Sequence, residues 1–258
     1  ENLSNFDVNL IKKRKTPLMV IPTTAGSGSE STKFAVLYIN GEKFSIQHES
    51  ILPDEKIIDP NFSFSMSKSQ KAISGLDAFS QSIESFWSQN STPQSKLFSK
   101  EALKLIWENL YQSVNKNDFD AHAKVFHASI LAGKAINIAK TTSCHALSYY
   151  FTSKHNISHG HAVALFLPKI YEYNLLKLKI LNDSSLSEIN DILGVDEKNV
   201  YNTLSSFIKS LDVEIDFSNL GVNLYNESSL IISSVNKDRL KNNPVPIDLQ
   251  ELINSIIK

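Results

Sequence analysis

The chain has 258 residues, of which 41% are hydrophobic and 21% charged, so it is long enough to bury a large core in one or two domains. Its 26 basic and 27 acidic residues give a formal net charge of −1, a balance that argues against a nucleic-acid partner or an anionic membrane partner. No apolar run approaches ~18 residues, which argues against a membrane span, and the single cysteine, Cys144, favours the reducing cytoplasm.

The first part of the chain has the pattern of short β-strands. Residues 17–24 form an apolar run that ends in a turn. Residues 34–39 and 43–48 flank Asn40-Gly41, and an Asn-Gly pair between two β-prone runs is the strongest short-range signal for a β-hairpin. Residues 56–59 predict one more short strand.

From about residue 65 onward, the apolar residues repeat at a helical period. The first helix is predicted at residues 67–88. The same periodicity predicts further helices at residues 95–115, 118–139, 161–174, 185–193, 198–211 and 248–257. Asp118 and Asp248 are suitable N-caps for two of them. The interpretation is a β-rich piece, residues 1–64, followed by an all-α domain, residues 65–258.

Asp77 and Gln81 are the first candidate site residues. They lie at i and i+4 of the helix predicted at 67–88, so their side chains share one face. Apolar residues surround Asp77, which predicts that it points into the fold. A buried carboxylate must be paired, hydrogen-bonded or metal-bound. A capping or hydrogen-bonded core aspartate is the alternative.

His145 and His159 are the second candidate group. Neutral imidazoles are common ligands of zinc and iron, and two histidines with one aspartate would leave an open position for a substrate. In the alternative interpretation, His145 is a hydrogen-bonded core histidine, while His159 and His161 are polar residues at the start of a helix.

A loop rich in small and hydroxyl residues, residues 22–30, follows the first apolar run. Its glycines and hydroxyl groups would let a phosphate, ribose or amide approach the backbone closely. Ordinary Ser/Gly turns have the same composition, and the loop has neither the Walker nor the Rossmann pattern.

These motifs, in this order, resemble those of the iron-containing (group III) alcohol dehydrogenase family. Residues 21–30 are similar to the family's PTTAGTGSE loop, and residues 75–87 to its G-D-A-x-x-H-A-I-E helix. Residues 145–168 resemble its two-histidine segment, and residues 242–246 its NPRP stretch. The resemblance implies the dehydroquinate synthase-like fold: an α/β N-terminal remnant of a nucleotide-binding domain, then an all-α domain that binds metal and substrate.

The resemblance also implies a set of metal ligands. Three of the family's ligands match Asp77, His145 and His159, whereas a fourth position, usually histidine, is Gln81 here. This pattern is similar to the three-ligand zinc set of the related glycerol dehydrogenases and dehydroquinate synthases. Either Fe2+ or Zn2+ is therefore expected, with Gln81 as a weak ligand or a hydrogen-bonding neighbour.

NAD(P)H is the cofactor that the resemblance implies. The residues that would line it are in the loop at 22–30, namely Thr23, Thr24, Ser27 and Ser29. The family's diphosphate loop contains a Gly-Gly pair, and none occurs among the 8 glycines of this sequence. We therefore expect that residues 1–60 are the remnant of a longer nucleotide-binding domain.

The segment around residues 132–142 and the Gln81 variant resemble the phosphonoacetaldehyde reductases within this family. The implied reaction is reduction of phosphonoacetaldehyde to 2-hydroxyethylphosphonate. If one helix continued through this segment, Lys134, Asn137, Thr141 and His145 would share a face and could bind the phosphonate, with Lys140 as a second cation. Solvated surface lysines are the alternative.

The proton donor is the least constrained assignment, and Tyr149, His155 and His161 are its candidates. A homodimer is left open by the resemblance. Two other functions also remain open: a dehydrogenase for another small alcohol or diol, and a truncated, non-catalytic remnant that serves as a helical module.

Overall fold

The structure, a computed structural model, describes residues 14–39 and 42–257. Its N-terminal part contains two small sheets. The β1 strand (Met19–Val20) pairs in parallel with β4 (Glu55–Lys56), and β2 (Phe34–Ile39) pairs antiparallel with β3 (Glu42–Gln47). The predicted hairpin is therefore confirmed, although its Asn40-Gly41 turn lies outside the described residues.

The strand predicted at 56–59 is shorter and begins one residue earlier, at Glu55. The strand ends at Lys56. Asp59 and Pro60 then start a turn, in which the Asp59 carboxylate accepts the backbone N–H of Asn61 at 2.9 Å. The apolar run at 17–24 contributes only two residues to its sheet, and the rest forms the loop described below.

Helices make up most of the described chain after residue 60. They are α1 (Asn61–Phe64), α2 (Lys68–Trp87), α3 (Pro93–Asn115), α4 (Phe119–Ala139), α5 (Ser143–Lys154), α6 (His159–Ile180), α7 (Ser187–Leu193), α8 (Val200–Ser210), α9 (Leu224–Ser234), α10 (Lys237–Lys241) and α11 (Leu249–Ile257). All seven predicted helices are present, and α6 is longer than predicted at both ends. The division into two domains at residue 64 stays a prediction.

Polar side chains mark the helix starts. The Asp118 carboxylate accepts the N–H of Ala121 at 2.7 Å, and the Asp248 carboxylate accepts that of Glu251 at 2.9 Å, so both predicted N-caps are confirmed. Capping boxes at Ser67 and Thr92 fix the starts of α2 and α3.

The α2 helix runs through the middle of the bundle. It packs against α3, α4 and α6, and its apolar residues Leu76, Phe79 and Ile83 are fully buried. Because α2 is enclosed on nearly all sides, the polar residues on it that face inward are removed from water. No helix of the described chain is both long and apolar enough to cross a bilayer.

The helix predicted at 118–139 is confirmed, but the proposed phosphonate-binding face required one helix to continue from Lys134 to His145, and it does not. The α4 helix ends at Ala139, and α5 starts at Ser143. Between them, Lys140 has φ +62° and ψ 172°, a backbone conformation that terminates a helix. The chain therefore changes direction before it reaches His145.

Candidate metal centre

Three polar side chains from three helices converge at one point. They are Asp77 of α2, His145 of α5 and His159 at the first turn of α6, and one potential ligand atom from each lies within 4.8 Å of the others. The Asp77 Oδ1 atom is 3.4 Å from His145 Nε2 and 4.0 Å from His159 Nε2. The two imidazole centroids are 5.3 Å apart.

A glycine allows the start of α6 to approach α2 this closely. A Cβ atom on Gly160 would lie 2.2 Å from the carbonyl oxygen of Ile73 and 3.0 Å from the Cβ of Asp77. Only a residue without a side chain fits there, because the Ile73 oxygen belongs to the backbone. Gly160 thereby brings His159, its neighbour in the chain, to Asp77.

Glu84 is a functional residue that the sequence interpretation missed. It is fully buried, and its Oε2 atom contacts Nδ1 of His145. Its Oε1 atom accepts hydrogen bonds from the backbone N–H of Thr142 at 3.1 Å, the Thr142 hydroxyl at 2.8 Å and the backbone N–H of Cys144 at 2.8 Å. Glu84 therefore caps the start of α5 and orients the imidazole of His145.

The contact with Glu84 decides which nitrogen of His145 can bind a cation. Nδ1–H donates to Glu84, so the lone pair of Nε2 points toward Asp77. Burial lowers the pKa of His145, but the carboxylates of Glu84 and Asp77 outweigh it and hold that pKa above its ordinary value. Conversely, burial would raise the pKa of Glu84, and His145 holds it below its usual range.

Gln81 lies one turn after Asp77 on α2 and connects this cluster to the hydroxyl-rich loop. Its Nε2 atom donates to Asp77 Oδ2 at 3.1 Å and contacts the carbonyl oxygen of Ser27 at 3.5 Å. Its Oε1 atom is buried and has no hydrogen-bond partner within residues 14–39 and 42–257.

These features fit a divalent cation. One carboxylate and two imidazoles are a donor set that both Zn2+ and Fe2+ accept, and the buried Nε2 of His145 has no hydrogen-bond donor in the described structure. The His159 side chain is 35% exposed, against 6% for His145 and 10% for Asp77, so the cluster opens to solvent on the His159 side. The ligand assignment itself stays a prediction.

The loop at 22–30 presents its hydroxyl groups outward. Thr23, Thr24, Ser27 and Ser29 are exposed, whereas Ala25, Gly26 and Gly28 are buried against the helices. Gly28 has φ +60°, and a Cβ on it would lie 2.5 Å from the Cα of Gly133 in α4. The glycines thus anchor the loop, and its cofactor-binding role remains a prediction.

The predicted phosphonate-binding residues do not share one helix face, because α4 ends at Ala139. Lys134 is exposed, with Nζ 5.5 Å from the ring centre of Phe98 in α3, and Asn137 accepts the backbone N–H of Lys33 at 3.0 Å. Lys140 is exposed after the end of α4. Thr141 is buried, and its hydroxyl accepts a hydrogen bond from Arg239, which the sequence interpretation also missed.

The three candidate proton donors have different surroundings. Tyr149 is half-buried and lies one turn after His145, on the same side of α5. His155 ends α5 and contacts Glu227 of α9 at 2.7 Å. His161 Nε2 contacts the backbone oxygen of Glu214 at 2.6 Å. The structure therefore engages the two histidines with Glu227 and Glu214, whereas Tyr149 lies on the helix that carries His145.

Comparison with known families gives one match that covers most of the chain. Residues 71–258 match the model of the Fe-containing alcohol dehydrogenase family, C-terminal, and residues 3–60 match that of iron-containing alcohol dehydrogenase. The second match includes the loop at 22–30, and the first includes Asp77, Gln81, Glu84 and both cluster histidines.

Individual relatives agree with these matches. Over 97% of its length, the chain is 26% identical to a probable alcohol dehydrogenase, EutG, of Escherichia coli, and spans 64% of that protein. It is 35% identical to the phosphonoacetaldehyde reductase of Streptomyces viridochromogenes, over 61% of this chain and 40% of that protein. A solved structure of sulfoacetaldehyde reductase from Bifidobacterium kashiwanohense with NAD+ superimposes with a TM-score of 0.84, at 29% identity, over 93% of this chain and 64% of the other.

Proposed function

Because the chain belongs to the iron-containing alcohol dehydrogenase family, we propose that it reduces a small aldehyde to an alcohol with NAD(P)H and a divalent metal. Phosphonoacetaldehyde is the proposed substrate and 2-hydroxyethylphosphonate the product. Two relatives, a phosphonoacetaldehyde reductase and a sulfoacetaldehyde reductase, are named for aldehydes that carry an anionic group. The chain spans about two thirds of the solved relative's length, so the proposal concerns the activity of the whole protein.

The observation that carries the proposal is the convergence of Asp77, His145 and His159 within 4.8 Å. These three residues would hold the cation, and Gln81, whose buried Oε1 has no hydrogen-bond partner in the described chain, is the proposed weak fourth ligand. When bound, the metal supplies Lewis acidity toward the aldehyde oxygen, and the nicotinamide supplies the hydride.

The residues of the chain have separate tasks in this proposal. Glu84 keeps the proton of His145 on Nδ1, so that Nε2 offers a lone pair. Gln81 contacts both Asp77 and the carbonyl oxygen of Ser27. In the proposal, this contact positions the loop at 22–30 so that its exposed hydroxyls face the nicotinamide side of the cofactor. Tyr149, one turn from His145, is the proposed source of the proton that the product alcohol receives.

A single experiment tests the proposal. The purified protein is loaded with Fe2+ or Zn2+, and NAD(P)H oxidation is followed with phosphonoacetaldehyde and with propanal. We expect turnover that a chelator abolishes, a preference for phosphonoacetaldehyde, and no turnover for His145→Ala. His127→Ala, an exposed histidine on α4, is the control and should keep full activity.

Two results would contradict the proposal in different ways. Turnover that survives both the chelator and His145→Ala would exclude the metal role. A clear preference for propanal would instead favour a dehydrogenase for an uncharged alcohol or diol, and a complete lack of turnover would favour a non-catalytic helical module.

A further inference from the structure

We infer that Arg239 binds the anionic end of the substrate, an inference that rests on the proposed aldehyde reduction. The group it would bind is a phosphonate or sulfonate, whose oxygens match the planar fork of a guanidinium. Arg239 is one of only two arginines in the sequence.

The position of Arg239 places a cation beside the candidate metal centre. It lies in α10, and the carbon of its guanidinium is 6.0 Å from the ring centre of Tyr149. Tyr149 follows His145 by four residues on α5, so both side chains lie on one side of that helix. The guanidinium therefore lies over the same stretch of α5 that presents His145 to the cluster.

The guanidinium has no anionic partner in the described chain. No ion pair there involves Arg239, whereas the other arginine, Arg14, pairs with Asp54 at 3.0 Å. Its described side-chain hydrogen bonds are with two neutral hydroxyls: Nη1 donates to Thr141, and Nη2 donates to Ser45 Oγ at 3.5 Å. A guanidinium has five N–H donors, so several remain for a ligand. A half-buried cation without a carboxylate attracts an anion more strongly than a paired one.

The surroundings of Arg239 are fixed before any ligand arrives. Asn236 caps α10 by accepting the backbone N–H of Arg239 at 2.9 Å. Asn242 holds the segment between α4 and α5 by donating to the carbonyl oxygens of Ala139 at 2.9 Å and Thr141 at 3.1 Å. An ordered cation loses less conformational entropy on binding than a flexible one.

One short segment connects this cation to the candidate metal ligands. Thr141 contacts Arg239, while the next residue, Thr142, contacts Glu84, which orients His145. In phosphonoacetaldehyde, a single methylene separates the aldehyde carbon from phosphorus. A substrate of that size needs its anion site beside the metal, and Arg239 contacts both Tyr149 of α5 and the segment that precedes α5. Lys134 has no such described contact with α5; its Nζ lies 5.5 Å from the ring centre of Phe98 in α3.

Ligand binding provides a test that does not need turnover. Calorimetry measures the affinity of the metal-loaded protein for 2-hydroxyethylphosphonate, and 2-hydroxyethanesulfonate is measured alongside it. For Arg239→Gln we expect an affinity about 10- to 100-fold weaker, since hydrogen bonds to charged groups contribute about 1.5–3 kcal/mol. Arg239→Lys keeps the positive charge but loses the planar fork of the guanidinium, so its affinity should lie between those of the wild type and Arg239→Gln. Lys241→Gln removes an exposed positive charge from the same helix and is the matched control.

Kinetics separates binding of the anion from a merely structural role. Arg239→Gln should raise KM for phosphonoacetaldehyde about 10-fold or more and leave kcat/KM for propanal unchanged. Equal losses on both aldehydes in both Arg239 variants, or unchanged affinity for 2-hydroxyethylphosphonate, would overturn the inference. If the wild type reduces no aldehyde, the proposed function fails; binding of the phosphonate that depends on Arg239 would still support the anion site.

Discussion

Glu84 is a carboxylate that is fully buried, and protein donors replace the water that would otherwise solvate it. A fully buried charge is costly unless it is paired and hydrogen-bonded. Glu84 meets that condition because backbone and hydroxyl donors from Thr142 and Cys144 surround one of its oxygens, and His145 occupies the other. The sequence contained a signal for it, since Asp77, Gln81 and Glu84 stand at i, i+4 and i+7 on one helix face.

Glu84→Gln should therefore weaken metal binding. The amide cannot accept from every present donor, and it no longer holds the proton of His145 on Nδ1 as a carboxylate does. We expect Zn2+ affinity to fall about 10- to 100-fold, measured by competition with a chromophoric chelator. Glu188→Gln, which removes an exposed carboxylate paired with Lys100, should bind metal as the wild type does; equal affinity in the two variants would exclude the role of Glu84.

Gly160 gives a second prediction at the level of one residue. Gly160→Ala places a methyl group against the backbone oxygen of Ile73, so α6 must move away from α2 and carry His159 from Asp77. We expect a loss of about 1–3 kcal/mol in the free energy of unfolding, together with weaker Zn2+ binding. Gly194→Ala is the control, because nothing lies within 4 Å of the added atom there. It should retain the metal affinity even though its φ of +60° costs some stability.

The connection between α4 and α5 is the element on which the site geometry depends. The apolar period predicted a helix that ends at residue 139, but neither glycine nor proline separates it from His145, so the proposed phosphonate-binding face assumed that one helix continued. The break is stabilised from far along the chain: Asn242 donates to the carbonyl oxygens of Ala139, the last residue of α4, and of Thr141 in the connection. A local pattern cannot reveal such a partner, so the sequence did not show that Thr141 and His145 lie outside the helix that carries Lys134 and Asn137.

Asn242→Ala should accordingly destabilise the protein. It removes the amide that donates to the buried carbonyl oxygens of Ala139 and Thr141, so the Ala139 oxygen keeps only the Ser88 hydroxyl at 2.6 Å. It also removes the oxygen that accepts from the Asn90 side-chain amide at 2.7 Å. We expect the free energy of unfolding to fall by about 2–4 kcal/mol in urea denaturation. Asn254→Ala removes an amide from the surface of α11, and a loss as large as that of Asn242→Ala would contradict this explanation.

At the scale of the whole molecule, stability should depend on pH through His122. This residue joins three helices, with Nε2 2.8 Å from the Ser63 hydroxyl of α1 and Nδ1 3.3 Å from the Ser113 hydroxyl of α3. Burial and the nearby Lys71 lower the pKa of His122 to about 4. The folded state therefore favours the neutral imidazole, whereas the unfolded chain takes up a proton near pH 6.5.

The sign of the effect follows from that difference. The stabilisation is complete above about pH 6.5 and is lost as the pH falls from about 6.5 to about 4, for a total of about 3 kcal/mol. Urea denaturation of the wild type at about pH 7.5 and about pH 4.5 should show this loss, and His122→Gln should lack it. His127→Gln, which changes an exposed histidine on the same helix, should keep the wild-type dependence on pH.

The sequence was sufficient for what local patterns encode. The hairpin, seven of the helices and the N-caps at Asp118 and Asp248 follow from periodicity and capping chemistry, whereas α1, α5, α9 and α10 were not predicted. The resemblance pointed to Asp77, His145 and His159, which the fold brings together. Arg239 could not be predicted, because its significance depends on its contact with Thr141, a residue distant in the sequence but adjacent in space.

The double use of Glu84 limits how this protein can change. The basicity of His145 and the start of α5 cannot be changed independently, because the Glu84 carboxylate contacts both. Tuning the affinity for a cation at this position would also loosen the segment that carries the imidazole. Adjustment of metal preference is therefore easier at Gln81, whose exchange leaves that helix start intact.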